Sequence, residues 1–448
     1  MIRKYDFSKC HDKLINHNTE QRSGKHYYPW SVENILSIYI KIVLDRAFHI
    51  RYPNRNIVIK ELFETLKLIK GFRQFTILRI DFKQYFESLI PTYIYNNIVE
   101  GKLKSRIDDE IIKEYCKSHD KCNEGLPLSN ALAEIIGMKF DSMIRNKERE
   151  KGLIFYSRYV DDCILIYNTH NDKVVLRNRL DEIIDKIYKK NKDCPCNVEI
   201  SNELKKYQYI TDGNNLNAEF NYLGYNFHIE TKLNNKNKVD LTIKYGITDE
   251  KMEKYRKKIF EILQLYQSDM NLELLRHRLR VFCRRIVYRD ESCNHLSWKS
   301  VGFISTYGEL RFHLGVDAEN NTEEFLKNVI AEECKKVFEK HHLPYFLKTA
   351  GRELADGYTL YGCMKRNSAL IFDEEYNLGI PKESLINMCK QIGIECSPGD
   401  SYKYITDKYL SKVYAIAKTT KEDKQACLPL PGCSPDGTPM SSCTLPEQ

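Results

Sequence analysis

The chain has 15 cysteines, an odd number, yet contains no Cys-x-x-Cys pair. Cys194 and Cys196 are too close in sequence for a zinc knuckle, and His228 brings no companion. The scatter disfavours a metal site and fits reduced thiols in a cytosolic protein. Long apolar runs are missing as well. The most apolar stretch, Ile35 to Ile50, is broken by Lys41, Asp45 and Arg46, so no membrane span is expected. Met1-Ile2-Arg3-Lys4-Tyr5-Asp6 lacks the apolar segment of a secretory signal, and the expected location is the cytoplasm. No internal repeat is found.

What is present is ordinary globular composition with a basic excess. The 448 residues are 42% hydrophobic and 29% charged, with mean hydropathy −0.52, enough to bury a sizeable core in two or three domains. The net charge of +8 permits a polyanionic partner without requiring one. Thirty tyrosines among many basic residues suit base stacking and phosphate contact.

Residues 1–30 read as an irregular polar arm. Ser31 to about Lys70 is helical, with Ser31 as N-cap and Ile35, Ile38 and Ile42 at helical spacing. Thr76 to Asp81 is a buried strand ending in a carboxylate, followed by a helix through Tyr85 and Phe86 that stops near Pro91. After Gly125-Leu126-Pro127 a helix is expected to begin at Ser129 or Asn130, with Leu132, Ile136, Phe140 and Met143 on its apolar stripe. Leu153–Tyr159 and Cys163–Tyr167 form a hairpin whose tight turn presents Asp161 and Asp162. A basic amphipathic helix covers Val174 to Lys190. Asn197–Ile200 and Tyr222–Phe227 read as strands, and Thr248 to Arg289 as strongly helical and basic. The last twenty residues are rich in proline and serine and read as a disordered tail.

Asp81 and Asp161 lie 80 residues apart, each ending a predicted strand. Phosphoryl transfer to a 3′-hydroxyl uses two divalent cations about 3.5–4 Å apart, and magnesium prefers hard carboxylate oxygens. Strand-end and hairpin-tip carboxylates meet that need, with Asp162 as an accessory. Two adjacent acids flanked by apolar strands are costly unless a cation compensates.

These residues resemble the motifs of bacterial reverse transcriptases, most closely the "unknown group" enzymes, many of them anti-phage defence proteins. Phe155 to Asp162 is similar to the Arg-Tyr-x-Asp-Asp signature, and Arg79 to Phe86 to the first palm motif. Gly125-Leu126-Pro127 with Ser129 to Glu134 resembles the second, Asn202 to Lys205 the fourth, and Phe220 to Phe227 the primer grip. The resemblance covers roughly residues 30–240.

It implies an α+β right-hand polymerase fold: fingers and a palm with an antiparallel sheet carrying the Tyr-Val-Asp-Asp hairpin, then a mainly helical thumb and C-terminal region. The implied boundaries are 1–75 for arm and fingers, 76–245 for the palm (a fingers insertion at about 90–125), 246–330 for the thumb, 331–420 for a mostly helical region and 421–448 for the tail. The implied activity is RNA-directed DNA polymerisation, with a structured noncoding RNA as template and DNA as product. Its substrates are deoxynucleoside triphosphates, its cofactors two Mg2+ ions with Mn2+ as a substitute, and its partner a second copy or another reverse transcriptase.

By the same resemblance Asp81, Asp161, Asp162 and the Phe82 carbonyl ligate metal, and Lys205 protonates the leaving pyrophosphate. Phe86 is the gate against a ribose 2′-hydroxyl. Tyr85, Pro127 and Ser129 adjoin the nucleotide, with Arg51, Arg55 and Lys60 as triphosphate contacts. Tyr222, Leu223 and Gly224 hold the primer, and Arg276, Arg280 and Arg284 hold duplex phosphates. One departure stands out. Leu128 alone joins Pro127 to Ser129, where the family carries a longer template-positioning stretch. That shortening motivates an alternative, untemplated or protein-primed DNA synthesis; a second alternative is a catalytically idle RNA-binding scaffold. A nucleotide cyclase is disfavoured, because its hairpin carries a Gly-Gly-rich turn.

Overall fold

The computed structural model describes residues 20–22, 25–27, 32–189, 195–213, 216–233, 239–290, 297–338, 344, 358–373 and 379–413. The Ser31 cap and the C-terminal tail lie outside them. The chain divides into two compact units. One is Met1–Tyr222 with Thr231–Leu241, and the other is Leu223–Glu230 with Thr242–Gln448.

The first unit begins with two short antiparallel strands, β1 (Glu20–Arg22) and β2 (Lys25–Tyr27), inside the arm read as irregular. The single helical span expected up to Lys70 is two helices, α1 (Val32–Ala47) and α2 (Arg55–Ile69). His49 adopts a left-handed φ of 51° and Pro53 follows, which ends one helix and starts the next. The Asn54 side chain caps α2 by accepting from the Asn56 and Ile57 amides. Then come β3 (Thr76–Asp81), α3 (Tyr85–Ser88), α4 (Pro91–Ile94), α5 (Arg106–Ser118) and α6 (Pro127–Glu148). α6 starts two residues earlier than expected because Pro127 occupies its first turn, where a missing N–H costs nothing. β4 (Leu153–Tyr159), β5 (Asp162–Tyr167), α7 (Lys173–Tyr188) and β6 (Tyr207–Thr211) complete the set.

The central sheet is β4-β5-β3-β6, antiparallel throughout. Its apolar side chains and those of α1, α6 and α7 share one core that includes Leu36, Ile80, Phe82, Leu132, Phe140, Cys163, Leu165, Leu180 and Ile183. Each such side chain removed from water contributes roughly 1.5–3 kcal/mol before entropy is counted. Asn197–Ile200, expected as a strand, makes only an isolated bridge between Ile200 and Phe82.

β7 (Asn217–Tyr222), β8 (Tyr225–Leu233) and β9 (Val239–Ile247) are neighbours in a further sheet. The strand expected over Tyr222–Phe227 is instead interrupted by a two-residue turn. Leu223 (φ 48°) and Gly224 (φ 82°) both take the positive φ that a type I′ hairpin requires.

In the second unit, α8 (Asp249–Asp269) ends at a left-handed Met270, and α9 (Leu272–Cys283) follows, capped by Asn271. The expectation of helix through Arg289 fails at Arg284. Ile286, Val287 and Tyr288 belong to β10 (Arg285–Asp290), which pairs antiparallel with β11 (Ser297–Val301) and parallel with β12 (Ala369–Phe372). β-branched and aromatic residues at successive positions suit a strand covered on both faces. So the C-terminal part holds a sheet that the reading of a mainly helical region lacked. The helices of this part are α10 (Phe303–Thr306), α11 (Asn320–Val337), α12 (Leu360–Lys365), α13 (Lys382–Gln391) and α14 (Tyr402–Val413). Leu274, Ile286, Leu370, Phe372, Leu385 and Tyr409 are part of the core there. Among the described residues no helix is long and apolar enough to cross a membrane.

Candidate active site

The register of the central sheet brings the acids together. Asp81, the last residue of β3, lies directly opposite Asp162, the first of β5. Directly opposed residues of an antiparallel pair share a face, so both carboxylates rise on one side of the sheet. Asp161 precedes Asp162 in the turn, and its carbonyl accepts a hydrogen bond from the Phe82 amide at 3.1 Å. β4 and β5 pair from Tyr159 and Asp162 outward, leaving Val160-Asp161 as a two-residue loop. Val160 takes φ 62°, a left-handed conformation that a β-branched side chain strongly disfavours.

Two arginines hold that strained tip. Arg158, itself buried, donates to Glu134 (Nη2, 2.9 Å), to Asp141 (Nε, 2.8 Å) and to the Val160 carbonyl (Nη1, 3.0 Å). Tyr156 Oη adds a 2.6 Å bond to Asp141. Burial opposes the Arg158 charge, but Glu134 and Asp141 more than offset it and leave the guanidinium firmly protonated. Gly137 makes room for it: a Cβ there would lie 2.5 Å from the guanidinium carbon. Arg79, two residues before Asp81 on the same face of β3, forks onto both oxygens of Asp162, at 2.9 and 3.0 Å.

The three acids are therefore not equivalent. Asp162 is tied to Arg79, yet burial still pushes its carboxyl up to about 6, with Asp81 adding to the rise. Asp161 has no such fork. Burial, then the repulsion of Asp81, pushes it up to about 7. Asp81 is raised by burial and restrained by Lys206 and Arg79. The Lys206 ammonium stands 3.7 Å from Asp81 Oδ1. Lys205, the expected proton donor, is exposed, and it is the Lys205 carbonyl that takes part here, accepting from Arg79 at 2.8 Å. Among the described residues no three His, Cys, Asp or Glu side chains are grouped closely enough to hold a cation unaided. Asp81 and Asp161 offer hard oxygens whose mutual repulsion a divalent cation would relieve, which fits magnesium shared with waters and substrate phosphates.

The remaining expected residues are placed unevenly. The Phe82 ring is buried against Tyr85 and Phe140. Tyr85 is buried too, bonded to the Ala133 carbonyl and to Tyr188 Oη, so its side chain packs the core rather than lining a surface. Phe86 is half-buried, edge-on to Tyr85. Ser129 is fully buried inside α6 and bonds Tyr115 Oη and the Asn123 amide, which makes it a structural hydroxyl. Pro127 is half-buried in the first turn of α6. Arg51 and Lys60 are exposed and Arg55 half-buried around the start of α2. Tyr222 is buried, its hydroxyl 3.4 Å from the Asp162 carbonyl, while Leu223 and Gly224 form the type I′ turn described above. Arg276 and Arg280 lie on α9 and Arg284 just beyond it, all half-buried. Arg79, Arg158, Glu134 and Lys206 carried no assigned role in the sequence reading. Strand periodicity would have found Arg79, which shares the face of Asp81 two positions on.

No protein-family model matches the chain, and no curated protein does. Among solved structures it is similar to telomerase from Candida albicans in complex with a TWJ fragment of telomeric RNA, at 14% identity and a TM-score of 0.31. The match covers 85% of this chain and 52% of that one, so this chain spans about half the length of the telomerase.

Proposed function

We propose that the chain is a nucleotidyltransferase of the reverse-transcriptase type, an RNA-directed DNA polymerase. The observation that carries this reading is Asp81 directly opposite Asp162 at one end of the sheet, with Asp161 beside them in the turn; burial raises Asp81 and Asp161, and the charge of Asp81 adds to the rise at Asp161. Such an arrangement stabilises nothing by itself and suits a site that awaits a cation. Bound magnesium would stabilise the attacking 3′-oxygen and the leaving oxygen.

The chain's own residues do the rest. Asp81 and Asp161 hold the ions, with the Phe82 carbonyl as a further ligand. Asp162 is occupied by Arg79, so its part is to fix the tip and keep Arg79 charged beside the site. Lys206, beside Asp81, is better placed than Lys205 to give a proton to pyrophosphate. Phe86 excludes the 2′-hydroxyl of a ribonucleotide. The fingers, palm and thumb layout, the noncoding RNA and the defence setting are supported by the sequence resemblance.

Extension of a labelled DNA primer on an RNA template, with four deoxynucleotides and Mg2+, tests the reading. Wild-type protein should extend the primer and Asp161→Ala should lose at least about a thousandfold in rate, the order expected when a metal-bearing carboxylate is removed. Equal extension by both proteins would sink the assignment. A second reading, synthesis with no nucleic-acid template, draws on α6 itself. The helix starts at Pro127 and carries Leu128 and Ser129 buried in its first turn, where the family has a template-positioning loop. Sequencing the product separates the two: complementarity to the supplied RNA removes the untemplated version.

A further inference from the structure

The second unit holds a set of arginines whose charge is answered only in part among the described residues. Arg276, Arg280 and Arg284 recur every fourth residue along α9 and its C-terminal cap, so they stack on one stripe. All three are half-buried. Among the described residues one acid pairs with them: Glu273, 2.8 Å from Arg276 Nη2. That same nitrogen also donates to Gln391 Oε1 at 3.2 Å. Arg280 and Arg284 have no carboxylate partner among the described residues, and the Nε of Arg276 and of Arg284 are shielded from water without an acceptor. The tyrosines that flank the stripe are Tyr358 and Tyr409. Tyr409 Oη is already engaged with His277 Nδ1 at 2.9 Å, and burial keeps His277 neutral, down to about 4.

The electrostatics point the same way. Burial, then Arg284, depresses the basicity of Arg280, with Arg276 adding to the effect. Guanidiniums crowded out of water without counter-charge are costly, and a bound anion removes that cost. Among the described residues, three guanidiniums against the single carboxylate of Glu273 leave two positive charges. A phosphate diester carries one negative charge, whereas a phosphomonoester near pH 7 carries close to two.

We propose that Arg276, Arg280 and Arg284 form a pocket for a terminal phosphomonoester. Its ligand is the 5′-phosphate of a nucleic-acid strand or of a free mononucleotide. This goes further than a grip on duplex phosphates, because diester contacts along a backbone are blind to what the strand end carries. It also rests on no property of Asp81 or Asp161.

The test is fluorescence anisotropy with the full chain in EDTA, so that metal-dependent chemistry plays no part. A 12-nucleotide single-stranded RNA is offered with a 5′-monophosphate or a 5′-hydroxyl and a 3′ label. The phosphorylated strand should bind at least about tenfold tighter, the scale of one charge-assisted contact of about 1.4 kcal/mol or more. Arg280→Gln, with Arg284→Gln as a second variant, should erase that difference, so that the phosphorylated and 5′-hydroxyl strands bind each variant equally. Competition by adenosine 5′-monophosphate identifies a mononucleotide source, and competition by unlabelled 5′-phosphorylated strand alone identifies a strand end; either upholds the pocket. Equal affinity of wild-type protein for the two strands overturns it, as does an undiminished 5′-phosphate preference in folded Arg280→Gln.

Discussion

Arg158 and Arg280 are both arginines drawn away from bulk water, and among the described residues only one has its charge answered. Arg158 is surrounded by Glu134, Asp141 and a backbone carbonyl, and those partners hold its proton firmly. Arg280 has neighbours of its own sign and a weakened hold on its proton. A guanidinium paired on all sides is a structural part, here a brace under the hairpin tip. A guanidinium left unpaired at partial burial is a receptor. The carboxylates repeat the contrast on a smaller scale: Asp162 is paired with Arg79, while Asp161 is left facing Asp81. In each pair the unanswered group is the one assigned to a ligand.

Substitutions can break this comparison, and the Asp161→Ala loss of primer extension is the largest effect expected. Next in size is stability. Arg158→Met leaves Glu134 and Asp141 unpaired and should cost about 3–5 kcal/mol in chemical denaturation. Arg280→Met removes an unanswered charge and should be neutral or stabilising by about 1 kcal/mol in phosphate-free buffer. Equal losses for the two would erase the distinction between brace and receptor.

A pH series sharpens the carboxylate half. The folded pKa of Asp161, about 7, lies above the ordinary carboxylate value, so folding disfavours its ionised form. That penalty is absent below about pH 4, grows as pH rises, and is complete above about pH 7. Asp161→Asn should therefore leave metal-free stability unchanged near pH 4 and raise it by up to about 4 kcal/mol at pH 8. A stabilisation that does not vary with pH would contradict the assigned burial and repulsion.

Two smaller effects concern chemistry. Lys206→Ala should slow single-turnover incorporation about tenfold to a hundredfold, and Lys205→Ala by less than about threefold. The reverse order would return the proton-donor role to Lys205. Phe86→Ala should relax discrimination against ribonucleotides by about tenfold, an effect of roughly 1.4 kcal/mol, measured by competing ribo- and deoxynucleotides. Unchanged discrimination would remove Phe86 from the sugar contact.

Much of the first unit was legible because its signals are local. β3 and the β4–β5 hairpin follow from short apolar runs around acidic breaks, and α7 from helical periodicity. That placed Asp81 at the end of its strand, whereas Asp161, also expected at a strand end, lies in the hairpin loop. The inequality of Asp161 and Asp162 was not legible, because it depends on the register that sets Arg79 opposite Ile164 and its guanidinium against Asp162. Choosing Lys206 over Lys205 likewise needed the turn that precedes β6. In the second unit the basic run was visible, but its break at Arg284 was not. The parallel pairing of β10 with β12 joins segments more than eighty residues apart, a contact no local pattern encodes.

The Val160 turn bears on how the first unit folds. A tight turn with a favourable residue at its first central position starts a hairpin; a β-branched residue forced to positive φ opposes its own closure. Pairing of β4 with β5 is thus expected to nucleate away from the tip, through Ile164, Leu165 and Ile166 against β3, with the turn closing late. Under native conditions the same ordering runs backwards: the tip opens first, at less than the free energy of global unfolding. Amide protons around Val160 should exchange well before those of Leu165 or Leu78, which would make the segment that carries Asp161 less protected than the strands that flank it.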